Sequence, residues 1–312
     1  MITGSSDRRI SFHSIFWSGN NKITVDPIFE HRLLGISDQL PHLKLVISTG
    51  VLDFLPKIKQ ILARLLKKIP FGKVTPLAGK KVIRFMDILR SYSDQSPGVK
   101  VVPEDNCLIQ YTGGTTGLPK GTVLTHRNLI ANVTQIFEWI KPDEGNETGV
   151  SGFPFFHLAG LALGLVGLAA GSAQVLIPDP RNTKHIIKEI ARYRPTILVN
   201  VPTLYMMLMD EPEFRNLDFS TLNFCLSGAS PFPADKIREL ESVIGANKLI
   251  EVYGMTETSP IITMNPRRGK KKIGTVGFPV QGTRVKLVDI ETGNREVLWV
   301  RRANLSSRDR RS

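Results

Sequence analysis

Between Leu45 and Tyr253 the sequence switches repeatedly between short β-branched runs and longer helical periods, and that alternation leaves few folds open. Residues 45–47, 81–85, 173–177, 196–201, 222–226 and 249–253 read as strands. Residues 128–140, 183–193 and 234–243 read as helices, the first with Thr125 as N-cap and the last preceded by Pro233. Strands interleaved with helices predict an α/β fold of layered sheets flanked by helices.

A membrane span is the main competitor, because residues 148–178 hold no Asp, Glu, Lys or Arg and residues 158–170 are apolar or Gly throughout. Pro154 and the Gly171-Ser172 pair divide the stretch into a strand-like 152–156, a helix-like 158–170 and a strand-like 173–177, which predicts buried core instead. Gly160, Gly164, Gly167 and Gly171 have the spacing of packed membrane helices, but small residues equally let a helix lie close on a sheet. Closer to the N-terminus, Ile58, Ile61, Leu62, Leu65, Leu66 and Ile69 fall at helical spacing, with Lys57, Lys59, Arg64, Lys67 and Lys68 on the remaining face. The apolar stripe of this basic amphipathic helix is expected to pack on its own domain, an anionic membrane surface being the other occupant it suits.

With 41 basic and 28 acidic residues among 312, the net charge of +13 favours anionic partners: nucleotides, nucleic acid or acidic lipid. A composition of 41% hydrophobic and 22% charged residues excludes wholesale disorder. Cys107 and Cys225 are too few for a disulfide framework and too far apart for a metal knuckle; both are expected to be small buried hydrophobes in a reducing setting. No apolar run follows Arg8-Arg9, so no secretory signal is expected. The basic segment 295–312 lacks interleaved aromatics; it reads as an unstructured tail, and no specific nucleic acid is expected as partner.

The chemistry concentrates in two places. A strand signal at residues 108–111 runs into Thr112-Gly113-Gly114-Thr115-Thr116-Gly117-Leu118-Pro119-Lys120-Gly121. Glycines free backbone N–H groups to cradle phosphate, threonine hydroxyls donate to its oxygens, and Lys120 supplies positive charge. Lys120 lies between Pro119 and Gly121, so this is neither the Gly-Lys-Ser/Thr loop of common P-loop enzymes nor G-x-G-x-x-G. The second place is Tyr253-Gly254-Met255-Thr256-Glu257, after a strand signal: an aromatic face for a purine, a hydroxyl, and a carboxylate suited to Mg²⁺. Strand ends of this kind are where open α/β sheets bind ligands.

Together, Tyr111-Thr-Gly-Gly-Thr-Thr-Gly-Leu-Pro-Lys-Gly121 and Tyr253-Gly-Met-Thr-Glu257 resemble the AMP-forming adenylating superfamily. Leu124-Thr-His-Arg-Asn-Leu129, Phe153-Pro-Phe-Phe-His157, Ser227-Gly-Ala-Ser230 and Gly274-Thr-Val-Gly-Phe-Pro279 are most similar to its long-chain fatty-acid CoA ligases. The resemblance implies the layered sheets of the family's large N-terminal domain, here incomplete. It also implies ATP-dependent activation of a fatty acid through an acyl-adenylate, followed by thioester formation with CoA. By position, Thr112, Gly113, Gly114, Thr115, Thr116, Gly117 and Lys120 would hold the phosphates, and Thr112 and Glu257 would ligate Mg²⁺. Tyr253 would stack on adenine; Gly228, Ala229, Gly254 and Thr256 would line the nucleotide. Lys120, Thr256, Glu257 and His157 would form the catalytic set, His157 orienting the carboxylate or gating an acyl tunnel walled by residues 158–168 and 201–208.

The same resemblance divides the chain into an atypical segment 1–28, a partial adenylation domain 29–294 and a basic non-family tail 295–312, as a shifted reading frame would produce. The family's mobile C-terminal domain, with its distal catalytic Lys, has no counterpart in these residues, which predicts impaired turnover by the chain alone. An aryl-acid or carrier-protein relative, and a noncatalytic remnant that binds anionic surfaces, are the competing readings. The expected setting is cytoplasmic, with peripheral contact at the inner face of a membrane.

Overall fold

The computed structural model describes residues 20–66, 69–112, 120–288 and 292. The phosphate-loop residues 113–119, Lys67, Lys68 and the tail 295–312 lie outside them. Contacts divide the chain into two units, Met1–Val101 with Tyr111–Gly121 and Val102–Gln110 with Thr122–Ser312. Strands β4 (Asn106–Thr112) and β5 (Lys120–Thr125) form a two-stranded sheet through which the division runs.

In the first unit, β1 (Asn21–Val25), β2 (Leu45–Thr49) and β3 (Lys81–Arg84) make a parallel sheet in that order. Helical turns over residues 26–39 connect β1 to β2 and bury Phe29, Leu33 and Ile36 against Val46 and Leu77. At the carboxyl ends of these strands, Arg84 donates to Asp26 at 2.7 Å, to Asp53 at 2.8 Å and to Ser48 at 3.1 Å. The Asp26 hydrogen bond, followed by the pull of both carboxylates against the cost of burial, raises the Arg84 pKa. Helix α1 (Lys57–Leu66) lies between β2 and β3 in sequence, and α2 (Phe85–Ser91) follows β3.

Helix α1 departs from the expected packing. Its apolar stripe faces solvent, and none of its residues is buried. Gln60 and Ala63, on the opposite side, are its half-buried residues, and the Gln60 amide donates to Leu55 O, just before the helix, at 2.8 Å.

The second unit is built on a seven-stranded sheet in the order β12-β11-β10-β9-β8-β6-β7. Its parallel part comprises β6 (Thr148–Ser151), β7 (Ala173–Leu176), β8 (Ile197–Asn200), β9 (Phe224–Ser227) and β10 (Leu249–Gly254). β11 (Ile261–Met264) runs antiparallel to β10, and β12 (Phe278–Pro279) antiparallel to β11. Side chains alternate along a strand, so both faces are read in turn. Leu198, Cys225 and Leu249 enter one apolar cluster, with α5 (Thr183–Tyr193), α6 (Pro202–Met209), α7 (Pro212–Arg215) and α8 (Ala234–Ile244). Val199, Phe224, Leu226 and Ile250 enter the other, with α3 (His126–Ile140) and α4 (Leu158–Ala169).

Most strand and helix expectations hold, including the Thr125 cap, whose hydroxyl accepts from Asn128 N. Residues 152–156 do not form a strand. The strand is β6, just before them; Gly152 N turns to Val199 O and Asn200 Oδ1, and Pro154 has no N–H with which to continue a ladder. Residues 153–157 instead fold as a turn against α4, seated by its glycines: a Cβ at Gly160 would lie 2.3 Å from Pro154 O, and one at Gly164 2.4 Å from the Phe155 ring. Small residues thus serve close packing inside the unit, and no helix among the described residues is long and apolar enough to cross a membrane.

The two cysteines differ. Cys225 is buried, which pushes its thiol up to about 12, but Cys107 is exposed, contrary to expectation. It lies near the start of β4, where a two-stranded sheet cannot cover both its faces. One fast-reacting thiol per native chain is therefore expected with a thiol-reactive dye, the second appearing only on unfolding.

Helix α3 carries a polar stripe as well as an apolar one. Asn132 Nδ2 donates to Ile261 O at 2.8 Å while Asn132 Oδ1 accepts from Ile261 N at 3.0 Å; Gln135 donates to Gln281 O and Trp139 to Asn265 O. Asn132→Ala leaves both Ile261 backbone groups unpaired and should destabilise by about 2–4 kcal/mol in denaturant unfolding. A loss below about 0.5 kcal/mol would mean that the stripe is not holding β11.

Candidate functional site

The parallel sheet of the second unit fixes where a ligand can meet the protein. From β6 the chain passes through α4 to β7 on one side, then through α5 to β8 on the other. Topology therefore reverses between β6 and β8, and the crevice outside the carboxyl ends of such strands is the ligand position in open α/β sheets. Asn200 ends β8 and Ser227 ends β9 as its register partner. Asn200 Oδ1 accepts from Gly152 N at 2.9 Å, but Asn200 Nδ2 and Ser227 Oγ, both buried, have no hydrogen-bond partner among the described residues. The neighbouring Tyr205 hydroxyl is directed to Leu198 O and Leu226 O, at 3.0 and 3.1 Å. Two unsatisfied polar groups side by side call for a polar partner. Neither was expected from sequence, although an Asn closing the apolar run Ile197-Leu198-Val199 was a signal.

Gly228 and Ala229 follow β9 directly, beside the end of β10. Ala229 has φ of 70°, a left-handed conformation that costs a non-glycine residue of order 1–2 kcal/mol. Tyr253 leaves its ring about half exposed at the end of β10. The two glycines are small for reasons internal to the protein: a Cβ at Gly228 would meet Val252 Cγ2 at 2.7 Å, and one at Gly254 would meet Pro260 O at 1.9 Å. Thr256 and Glu257 sit on a tight turn over Thr256–Thr258, pinned by the Thr258 hydroxyl, which accepts from Met255 N and lies 2.6 Å from Pro260 O. Glu257 is exposed. Below it in β10, Glu251 accepts from Gly274 N at 3.2 Å, and burial raises its pKa.

His157 enters from the other side of the switch. It is the N-cap of α4, and its Nδ1 accepts from Ala159 N at 3.2 Å. In the neutral ring the proton then resides on Nε2, free to donate outward. Its outer edge is exposed and its inner side lies by Phe153, ring centroids 6.2 Å apart; this desolvation lowers its pKa. Gln110, in β4, donates to Phe156 O at 3.0 Å and so holds the turn that carries the histidine. With neighbouring strands about 4.8 Å apart, the loops after β6 and β9 lie roughly 10 Å apart across β8.

The phosphate-loop residues belong to the other unit. Of them, Thr112 and Lys120 are described: the Thr112 hydroxyl donates to Lys120 O at 3.5 Å, and Lys120 is exposed. Gly113, Gly114, Thr115, Thr116 and Gly117 lie outside the described residues. Among the described residues no cluster of three His, Cys, Asp or Glu side chains exists that could cage a metal ion. Glu257 and Thr112 are hard oxygen donors of the kind that suits Mg²⁺ carried in on phosphates, which needs only one or two protein ligands.

The model of the AMP-binding enzyme family matches residues 31–307. The chain is 35% identical over 285 residues to the long-chain-fatty-acid–CoA ligase of Bacillus subtilis, covering 87% of this chain and 48% of that protein. Among solved structures, ATP-bound MatB from Rhodopseudomonas palustris matches with a TM-score of 0.66 at 26% identity, over 86% of this chain and 50% of that one. The anthranilate CoA ligase AuaEII with anthranoyl-AMP matches with a TM-score of 0.77 over 93% of this chain and 51% of that one; at 22% identity it speaks to the fold. The chain thus spans about half the length of the curated relatives it matches.

The state of His157 gives a direct test. Because burial lowers its pKa, the ring should titrate below the ordinary 6.5. Above that value it is neutral whether folded or unfolded; as pH falls through it, protonation favours the unfolded chain and breaks the Nδ1 cap. Imidazole nitrogen NMR should show the Nε2–H tautomer with a midpoint under 6.5. A midpoint at or above 6.5, or the Nδ1–H tautomer, would overturn the assignment.

Proposed function

The chain belongs to the AMP-binding enzyme family, and on that premise we propose that it carries the nucleotide-binding core of a long-chain fatty-acid CoA ligase, within residues 29–294. The observation that carries this reading is the meeting of Gly228 and Ala229 with Tyr253, Thr256 and Glu257 at the adjacent carboxyl ends of β9 and β10. The half-exposed Tyr253 ring offers adenine a stacking face, and the left-handed Ala229 turns the loop beside it.

In the proposed reaction a fatty-acid carboxylate oxygen attacks the ATP α-phosphorus. The bond to pyrophosphate breaks and an acyl-adenylate forms. The CoA thiol then loses its proton to solvent as its sulfur attacks the acyl carbonyl, and AMP leaves with the electron pair of the broken acyl C–O bond. Both steps spread negative charge, so preorganised donors matter most. Thr112, Gly113, Gly114, Thr115, Thr116, Gly117 and Lys120 would hold the β- and γ-phosphates. Thr256 would donate to the nucleotide, and His157 Nε2–H would orient the substrate carboxylate. Mg²⁺, held by Glu257 and Thr112, would neutralise phosphate charge. Asn200 Nδ2 and Ser227 Oγ, at the same strand ends, would gain partners when substrate fills the crevice. The fitting setting is the cytoplasm beside the inner face of a membrane, where long-chain acids partition.

Equilibrium binding of MgATP to the purified chain tests this core. Saturable binding is expected, weakened by about 10- to 100-fold, or roughly 1.4–2.8 kcal/mol, in Lys120→Ala and in Glu257→Ala. Pyrophosphate exchange stimulated by palmitate but not by 4-coumarate would support the long-chain substrate over the aryl one. A cooperatively folded chain that does not bind MgATP would overturn the reading.

A further inference from the structure

Helix α1 is amphipathic inside out. At about 100° per residue, Ile58, Ile61, Leu62, Leu65 and Leu66 fill a sector of about 140°. These five side chains are 52–82% exposed. The less exposed positions of the helix, Gln60 and Ala63, fall on the opposite side, which is therefore the side turned toward the rest of the unit. An apolar stripe this continuous on a protein surface marks a place that something else covers.

Charge identifies the occupant. Lys57 and Arg64 flank one border of the stripe and Lys59 the other, all three exposed. Between Asp53 and Asp87 the sequence holds nine Lys or Arg residues and no Asp or Glu. A surface that pairs with this segment must be apolar in the middle, anionic on both sides and continuous along a ten-residue helix. An anionic lipid bilayer has that profile: the stripe enters the acyl boundary while the long basic side chains reach back to the headgroups.

We propose that α1 is an interfacial helix that docks the chain on anionic membrane, with its axis in the plane of the surface. The inference goes further than the reading of the nucleotide site by assigning membrane contact to one segment, and it rests on the surface of α1 alone. It would hold the chain at the boundary where a poorly soluble long-chain acid is concentrated.

An environment-sensitive dye on the helix tests it. In a Cys107→Ser background, Ile61→Cys is labelled with NBD; Cys225 is buried and stays unlabelled in the native chain. Vesicles of phosphatidylcholine with phosphatidylglycerol should shift the emission to the blue and raise it, whereas phosphatidylcholine alone should do neither. Ile58→Glu with Leu65→Glu should abolish vesicle binding through α1. Lys57→Gln, Lys59→Gln and Arg64→Gln together should weaken it about 10- to 100-fold, and added salt should act in the same direction. Because α1 buries none of its residues, these variants should keep the parent's thermal unfolding and its MgATP affinity, so a failure here is distinguishable from failure of the nucleotide site. Three results would overturn the proposal. One is sedimentation with anionic vesicles without a blue shift, which would mean adhesion by net charge alone. Another is an equal shift on neutral vesicles. The third is a dye already blue-shifted without lipid in a chain that light scattering shows to be dimeric, which would give the stripe to a second copy.

Discussion

Three central parallel strands, β8, β9 and β10, covered on both faces, are the constraint from which the rest of the larger unit follows. Because β8, β9 and β10 send successive residues into two separate apolar clusters, helices must cover each face, and water reaches these three strands at their ends. Everything chemical is thereby pushed to the strand termini. A parallel sheet also gives its two ends different characters, since all its carboxyl ends lie together at one.

The two ends are finished differently. At the amino-terminal end polar groups are closed on one another: Glu147 accepts from Asp143 N and Asn223 Nδ2, and Arg267 lies over the Phe224 ring, 4.9 Å from its centroid, while donating to Ile140 O and Lys141 O. At the carboxyl end Asn200 Nδ2 and Ser227 Oγ are buried and left open, and Ala229 is held in a left-handed conformation. Thr263 Oγ1, on β11, is a further open atom away from that crevice's central strands. Closed at one end and unsatisfied at the other, the sheet distinguishes its two ends by hydrogen bonding.

What the sequence made legible was what depends on local pattern. Runs such as Leu249–Gly254 announce a strand through β-branching and apolar continuity, and Thr125 announces a helix start through its own hydroxyl. Tyr253 and Gly254 close β10, and the tight turn over Thr256–Thr258 follows directly, as the strand signal before them implied. Less legible was whatever depends on distant partners. The 152–156 segment has strand-like composition, but its ladder stops at Gly152, whose N–H is shared between Val199 O and Asn200 Oδ1, 48 residues away, with Pro154 unable to continue it. Gly254 suggested ligand approach, yet the atom that forbids a side chain there is Pro260 O. The orientation of α1 was hidden because periodicity defines two faces of a helix without saying which one its own domain receives. Asn21–Val25 gave no signal, since a strand of five residues with Lys22 in it becomes one only beside β2.

The polar stripe of α3 has a consequence in time. Its partners at Ile261 and Asn265 lie 129 and 126 residues further along the chain. During synthesis at about 5–20 residues per second, the helix emerges some 6–26 s before the strand that satisfies it. Through that interval Asn132, Gln135 and Trp139 are served by water, and the apolar side of the same helix has no β10 or β11 to lie on. The amino-terminal half of this unit is therefore completed from its far end, and the ribosome delivers its keystone late.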